Sequence, residues 1–579
     1  MSRTARLLPK HFVDPQAPGR AAALVREIGW VRALSVLNRG VLSGREMLDR
    51  FGSDVAAVWA VLMPLSARGH VLLLSPHSIS EAIGLARWCR SVTVRTSDAQ
   101  DAEFLVACAE GCELRNVRTV GTLDELAEDP AFDAIVWDAD DVSAVSLGRA
   151  QCLLSPDGVL YLRVQRPWGG TKWRLFERLR SMARWRSMLR RAGFNQVRMF
   201  GVLPDHANPD EMLLLGLRSG YTRTWQVGRL QLRNELRTRL EAMPMFCPSA
   251  GMVASAGSRA VSWIESLEQH VAEDRRLSTA SNHFPRVLVS NAFKGGLIMF
   301  LGSDAVVRIP LNREGERRIA NNYEALSMAR QLRARGLQCR TPEPLRLERF
   351  DGVHVGVESK IGGKSIDRLP GPRALDAEQR VFELLLAFQR ITGTGEQPSE
   401  LWQECALLPF RRSFAWAVTE TDRCMIRDLI AFLTSAGPGC LPVAASHGDY
   451  KAGNVLISDL EPAVGLLDWD LYKPVHFATI DLCHFVFHRR ARLQQKPRLQ
   501  AMVEWLAGHG EDAVESEWMA RFVAEHGLAG QWRAAAALTY WAREFDSRIG
   551  GTFDLQTDWI RMNFLGLLPR IHELVCPPR

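Results

Sequence analysis

A chain of 579 residues is too long for one hydrophobic core, and its length alone predicts three or four domains. Hydrophobic residues make up 47% and charged residues 24%, the balance of a folded soluble protein rather than a disordered one. The net charge of +7 is spread over 72 basic and 65 acidic side chains, too dilute to argue for a nucleic-acid partner.

Residues 1–53 read as a mixed, weakly helical segment without the apolar core of a secretory signal. From 54 to 218 strands and helices alternate. "HVLLLS" (70–75), "SVTVRT" (91–96), "ELRNVRTV" (113–120) and "FDAIVWD" (132–138) read as strands, with the helix "SEAIGLARWCR" (80–90) between the first two. "LLSPDGVLYLRV" (153–164) reads as a helix end, a Pro-Asp-Gly turn and a strand. "LRRAGFNQVRMFGVL" (189–203) reads as a helix closed by a glycine and then a strand, and "EMLLLGL" (211–217) ends the set. Alternation of this kind predicts an α/β domain with a mostly parallel, doubly wound sheet covered by helices on both faces. The Arg-rich stretch Trp173–Phe194 reads as a helix with a solvated basic face.

Residues 219–284 are polar and read as a helical linker, broken at "AMPMFCPSAGM". The pattern then changes to short strands, "RVLVSNAF", "GLIMFLG" and "AVVRIPL", followed by a long helix over 314–336 with a glycine stop. "LRLERFDG" and "VHVGVES" form a hairpin-like pair around Asp351-Gly352. Residues 285–371 thus read as an α+β segment, and 372–579 as a largely helical domain. Eleven scattered cysteines, with no CxxC pair, predict reduced thiols and a cytoplasmic protein. No apolar run approaches the length of a membrane span.

One segment concentrates chemistry. "SHGDYKAGNVLISDLEPAVGLLDWD" (446–470) sets five carboxylates and an amide among apolar runs. An unpaired buried charge is costly, whereas a charge facing a metal ion is not. Asp449 and Asn454 share a loop, and "AVGLLDWD" is a strand whose hairpin-like return would bring Asp468 beside Asn454. An amide oxygen and a carboxylate make a hard-oxygen pair suited to Mg²⁺, which keeps further sites for waters and phosphates. Asp449 would face an acceptor hydroxyl, the layout of phosphoryl transfer.

"HGDYKAGNVL" followed by "LLDWD" resembles the catalytic loop and metal strand of the aminoglycoside phosphotransferase and choline kinase superfamily. The resemblance covers about 285–579 and implies a bilobal protein-kinase-like fold. It implies Asp449 as catalytic base, Asn454 and Asp468 as Mg²⁺ ligands, a structural His447, and Asp481 as a support of the catalytic loop. Where the family carries a phosphate-holding Lys, "VVRIPL" has Arg308, and the following helix offers Glu324 as its partner. A guanidinium reaches phosphate with a planar fork rather than a point charge, and Arg308 as an exposed strand residue is the alternative. "NAFKGGLIMF", with Gly295 and Gly296, corresponds to the phosphate-covering loop, and Glu358 to Lys360 to the hinge beside adenine.

The strand order over 54–218, and "LLSPDGVLYLRV" in particular, resemble class I S-adenosylmethionine-dependent methyltransferases, which implies a Rossmann-like domain. In such enzymes the cofactor lies on a glycine-rich loop after the first strand and an acid after the second. Here the first loop carries Ser75-Pro76-His77, and the second strand runs into Thr96-Ser97-Asp98. A non-binding domain is expected, and SAM is not expected as a cofactor.

The reading is an ATP- and Mg²⁺-dependent phosphotransferase acting on a hydroxyl of a sugar, glycan, antibiotic or amino alcohol, fused to a silent methyltransferase-like domain. Two alternatives stand beside it: a kinase–methyltransferase that modifies one glycan or natural product twice, and a catalytically silent scaffold.

Overall fold

The computed structural model describes residues 57–64, 68–74, 76, 78–126, 131–139, 142–165, 184–203, 211–214, 249–257, 262–273, 286–289, 296–301, 305–311, 313–394, 399–459, 461–549 and 560–577. The chain divides into two compact units. The first is Met1–Glu316 with Glu348–Val355 and Thr552–Asp554. The second is Arg317–Leu347 with Gly356–Gly551 and Leu555–Arg579. No helix among the described residues is long and apolar enough to cross a membrane.

In the first unit, strands β1 (His70–Leu73), β2 (Ser91–Arg95), β3 (Val117–Val120), β4 (Phe132–Asp138) and β5 (Leu154–Gln165) lie in the order β3-β2-β1-β4-β5. All four pairings are parallel. Parallel neighbours need crossovers, and helices α1 (Ile79–Trp88), α2 (Ala99–Gly111) and α3 (Ala144–Leu153) supply them. Each crossover helix starts on a side-chain cap. Ser78 accepts from the Glu81 amide, Asp98 from that of Gln100, and Ser143 forms a capping box with Ser146. Asp98, next to the end of β2, is therefore used as a helix cap. Because the strands are buried on both faces they read as continuous apolar runs, and Val71, Leu72 and Leu73 are fully buried.

Two stretches differ from the sequence expectation. Pro156-Asp157-Gly158 is not a free turn between helix and strand. It lies within β5, as an outward excursion that moves the register from Phe132↔Leu154 to Ala134↔Val159. The stretch expected to be a helical linker contains β8 (Ser249–Ser255), which runs antiparallel between β5 and β6 (Gln196–Leu203). "SAGMVAS" has no charge to expose, and Gly251 gives up its side chain to the Tyr161 hydroxyl, which stands 2.1 Å from where a Cβ would be. Beyond β6 the order continues with β7 (Glu211–Leu214), β9 (Arg286–Val289), β10 (Gly296–Leu301), β11 (Ala305–Pro310), β13 (Val353–Ser359) and β12 (Pro344–Phe350). Of the Arg-rich stretch, residues 184–194 are described; 184–191 are helical, with Arg184, Arg186, Arg190 and Arg191 exposed and Leu189 buried.

At the carboxyl ends of the parallel strands Arg163, on β5, is fully buried. It is ion-paired to Glu81 in the first turn of α1, and at 2.7 Å to Asp138, the last residue of β4. Trp59 stacks on Tyr161 at 4.4 Å beside it.

In the second unit the helix Arg313–Ala334 ends at Gly336, whose φ of +102° suits a residue without a Cβ. The remaining core is helical. It is built on α5 (Arg313–Ala334), α6 (Gly371–Thr392), α7 (Glu420–Ala436), α8 (Thr479–Gln494), α9 (Arg498–Leu506), α10 (Ala513–His526) and α11 (Trp532–Ile549); α4 (Trp263–Ala272) belongs to the first unit. Large aromatic side chains fill it; Trp469, Trp505, Trp518 and Trp541 are each at most 1% exposed. Two small sheets interrupt the helices. One pairs β15 (Val443–Ser446) with β18 (Lys473–Phe477), and the other orders β14 (Lys364–Ser365), β16 (Val455–Ile457) and β17 (Val464–Leu466).

Candidate active site

β15 is buried along its whole length and delivers the chain into the loop that begins at His447. That loop is tied down by one carboxylate. Asp481, in the first turn of α8, accepts from the Ser446 hydroxyl at 3.0 Å and from the amides of His447 and Gly448 at 2.7 and 2.9 Å. Burial pushes the Asp481 carboxyl upward, against the pull of His447 and of those donors. Gly448 has φ +83°, and a Cβ there would lie 2.3 Å from the Leu471 carbonyl oxygen, so no other residue fits. Arg543, on α11, donates to the Gly448 carbonyl. The Tyr450 hydroxyl reaches the Val381 carbonyl of α6 at 2.7 Å, a second anchor.

Asp449 stands in the middle of this loop and is 4% exposed. Its Oδ1 accepts from His484 Nε2 at 2.8 Å, and its Oδ2 accepts from Asn454 Nδ2 at 2.9 Å. Lys451 Nζ bridges both oxygens at 2.7 and 2.8 Å. Asn454 also donates to the Asp449 carbonyl at 2.9 Å, which turns its Nδ2 inward and leaves Oδ1 as the atom able to meet a cation.

The expected hairpin return is present, but its strand stops at Leu466, and Asp468 lies in the irregular segment that follows. β16 and β17 pair with Val455 opposite Leu466, and the Leu467 amide donates to the Asn454 carbonyl at 2.9 Å, which places Asp468 next to Asn454. Asp468 adopts φ +63°, a left-handed conformation uncommon for a residue with a side chain. His447 fastens the loop to this strand, with Nε2 donating to the Leu467 carbonyl at 2.9 Å and Nδ1 accepting from the Asp449 amide at 3.2 Å. Burial keeps the His447 ring neutral, which this one-donor, one-acceptor arrangement requires; Asp481, Asp449 and Asp468 oppose the shift. The hard-oxygen set of Asn454 Oδ1 and the half-buried Asp468 carboxylate fits a Mg²⁺ ion that keeps positions for phosphate.

A clamp on α5 fixes the segment that follows β17. Asn322 Oδ1 accepts from the Trp469 amide at 3.1 Å while its Nδ2 donates to Glu358 at 2.7 Å. Asn321 donates to the Asp470 and Tyr472 carbonyls at 2.8 and 3.0 Å, and Arg318 pairs with Asp470 at 3.2 Å.

Of the residues expected from sequence, the structure brings Asp449, Asn454 and Asp468 together within the second unit. Glu358 is buried with its carboxylate on Asn322, and Lys360, two residues on, is exposed. Glu324 lies on the exposed face of α5, while Asn321 and Asn322 carry that helix's contacts to Trp469, Asp470 and Tyr472 beyond β17. Arg308 and Gly296 belong to the first unit. Arg308 sits half-buried on β11 opposite Ile298, and Gly296 opens β10 opposite Pro310. Gly295 lies outside the described residues, as do Ser75 and His77. Lys451, His484, Asn321 and Asn322 were not among the expected site residues. Two signals point to them: His484 follows Asp481 by one helical turn, and an Asn-Asn pair is a poor helix former in the middle of a helix.

Residues 298–518 match the family described as "Phosphotransferase enzyme family". No curated protein matches the chain. Among solved structures, the GDP and kanamycin complex of APH(2")-IIia is 14% identical, covering 54% of this chain and 97% of that one with a TM-score of 0.35. A thermostable mutant of aminoglycoside phosphotransferase APH(4)-Ia, in ternary complex with ADP and hygromycin B, is 13% identical over 54% and 98%, with a TM-score of 0.35. Aminoglycoside phosphotransferase APH(3'')-Id from Streptomyces rimosus, with ADP and streptomycin, is 12% identical over 42% and 89%, with a TM-score of 0.31.

Proposed function

We propose, from the premise that residues 298–518 are a domain of the phosphotransferase enzyme family, that this protein transfers the γ-phosphoryl group of ATP to a hydroxyl of a small molecule or glycan. One observation carries the reading. A nearly buried carboxylate, Asp449, is held by fixed donors directly beside an amide oxygen and a second carboxylate suited to a divalent cation.

Asp449 orients the acceptor hydroxyl and takes its proton as the hydroxyl oxygen bonds to the γ-phosphorus and the bond to the β–γ bridging oxygen breaks, releasing ADP. Asn454 and Asp468 would hold Mg²⁺, which neutralises charge on the phosphates when bound. Lys451 balances the Asp449 charge until an acceptor hydroxyl arrives. On the sequence resemblance, Arg308 is assigned as the phosphate-holding cation, Gly295 and Gly296 to the phosphate-covering loop, and the backbone of Glu358 to Lys360 to adenine. The Asn322–Glu358 bond supports this assignment of the hinge, since it fixes the end of the strand Val353–Ser359 to α5.

The parallel part of the first unit is assigned as methyltransferase-like and without catalysis. Its strand order supports the likeness. Its silence is supported by Asp98 being used as a cap, and by the ion pairs of Arg163 at the strand ends, where a cofactor of such a sheet would lie. A cytoplasmic location suits a use of ATP and the free thiols of the described cysteines.

The full chain should transfer label from γ-³²P-ATP, with Mg²⁺, to at least one member of a panel of sugars, aminoglycoside antibiotics, amino alcohols and glycans. Absence of Mg²⁺-dependent ATP binding by calorimetry, together with no labelled product across the panel, would overturn the proposal.

A further inference from the structure

We infer that His484 is a positioning residue for Asp449, and that Tyr540 sets the tautomer in which it works. The inference rests on the phosphotransferase reading of the same site.

The proton assignment follows by elimination. His484 is 3% exposed on α8, and its Nε2 lies 2.8 Å from Asp449 Oδ1. An ionised carboxylate can only accept, so Nε2 must carry the hydrogen. A neutral ring then has a bare lone pair on Nδ1, and the Tyr540 hydroxyl stands 3.0 Å from it as the donor. Tyr540 is itself fully buried on α11, and burial keeps its hydroxyl protonated. Burial likewise holds His484 neutral. The groups facing it agree: the His488 ring is 4.4 Å away, and Arg498 donates to His488 while pairing with Glu544. A charged imidazole here would meet the Arg498 cation.

The consequence lies in how the carboxylate can be used. Its two oxygens offer about four lone-pair directions. His484 holds one on Oδ1, Asn454 holds one on Oδ2, and Lys451 spans the remaining pair. His484 and Asn454 are each fixed by further contacts, whereas the Lys451 side chain is 27% exposed. An acceptor hydroxyl can therefore reach Asp449 by displacing Lys451, on the lone pairs that His484 and Asn454 leave over. His484 decides which way the base points, and Tyr540 decides that His484 donates rather than repels. Without the Tyr540 hydroxyl the ring can take the other tautomer and present a lone pair to the carboxylate.

The test uses the full chain with Mg·ATP and water as acceptor, so that no acceptor need be known. His484→Phe should lower kcat about tenfold to a hundredfold, the range for a misplaced reacting group, with the ATP KM within about twofold of wild type. His484→Gln should recover most of the loss, because its amide nitrogen can donate to Oδ1 and its oxygen can accept from Tyr540. Tyr540→Phe should lower kcat by about threefold to tenfold. A second readout is independent of turnover: ¹⁵N spectra of labelled histidine near pH 6 should show His484 as the neutral Nε2–H form in the wild type and as a tautomer mixture in Tyr540→Phe. If His484→Phe fails to fold, the other two variants and the spectrum carry the test. Wild-type kcat in Tyr540→Phe, a His484→Gln variant as inactive as Asp449→Asn, or a charged or Nδ1–H imidazole would each overturn the inference. A wild-type protein that neither binds nor hydrolyses Mg·ATP would overturn the proposed function instead, and the spectrum would still decide the position of His484.

Discussion

Acidification should unfold the second unit through its buried histidines. Burial holds His476 and His484 well below the usual imidazole range and pushes His488 down to about 3. All three are neutral in the folded protein, whereas in the unfolded chain each titrates near pH 6.5. The stability this difference affects is therefore complete above about pH 6.5 and is lost as the pH falls, because the unfolded chain then takes up protons that the folded protein refuses. Between pH 7 and pH 5 the loss is about 2 kcal/mol for His488, and His476 and His484 act in the same direction. The total stability of a domain is only roughly 5–15 kcal/mol, so a loss of this size is a large share of it. Asp481 and Glu515, whose carboxyls burial holds up, act in the opposite sense and reduce the net effect. A single substitution isolates the histidine share. His488→Gln keeps an oxygen that can accept from Arg498, which donates to the ring at 2.7 Å, and removes one titrating group. Urea denaturation followed by circular dichroism at several pH values between about 5 and 7.5 should show wild-type stability falling on the acid side. The variant should fall less steeply by about 1.4 kcal/mol per pH unit. Equal slopes in the two proteins would refute the reasoning, as would NMR titration of these rings near pH 6.5.

Four further outcomes follow from the catalytic loop. Asp449→Asn should retain ATP binding by calorimetry and lose turnover by about 10²–10⁴-fold, the share of a positioned base; near wild-type turnover would remove Asp449 from the reaction. Asp468→Ala should make nucleotide binding independent of Mg²⁺, with Asn454→Ala a milder form, and unchanged Mg²⁺ dependence in Asp468→Ala would show the cation to be held elsewhere. Asp481→Ala strands two amides and a hydroxyl in a buried place and should destabilise the second unit by about 3–5 kcal/mol in urea titrations, with loss of activity. Gly448→Ala places a methyl group 2.3 Å from the Leu471 carbonyl at a positive φ and should cost several-fold more activity than Gly453→Ala, where the nearest atom is the Asp367 carboxylate at 3.5 Å.

Much of this site was legible in the sequence because its parts are local. Asp449, Asn454 and Asp468 lie within twenty residues, and the pairing of β16 with β17, which joins the last two, is a short hairpin-like return that apolar runs and loop residues announce. The buried strands β1, β2 and β4 were equally plain, since a parallel strand covered on both faces must be apolar throughout. The strand in "SAGMVAS" was not, because a run of small residues has weak β-preference and is placed only by the neighbours it fits between. What the sequence could not supply is the set of partners that arrive from distant helices. His484 and Tyr540 lie 35 and 91 residues beyond Asp449, and Asn322 lies more than a hundred residues before Trp469. Periodicity shows which side of a helix is buried, but not whether a buried histidine meets a carboxylate, a hydroxyl or only apolar atoms. That choice is made by how the helices pack, and it is packing that gave Asp449 its donors, Asp481 its three hydrogen bonds and Asn322 its place between Glu358 and the Trp469 amide.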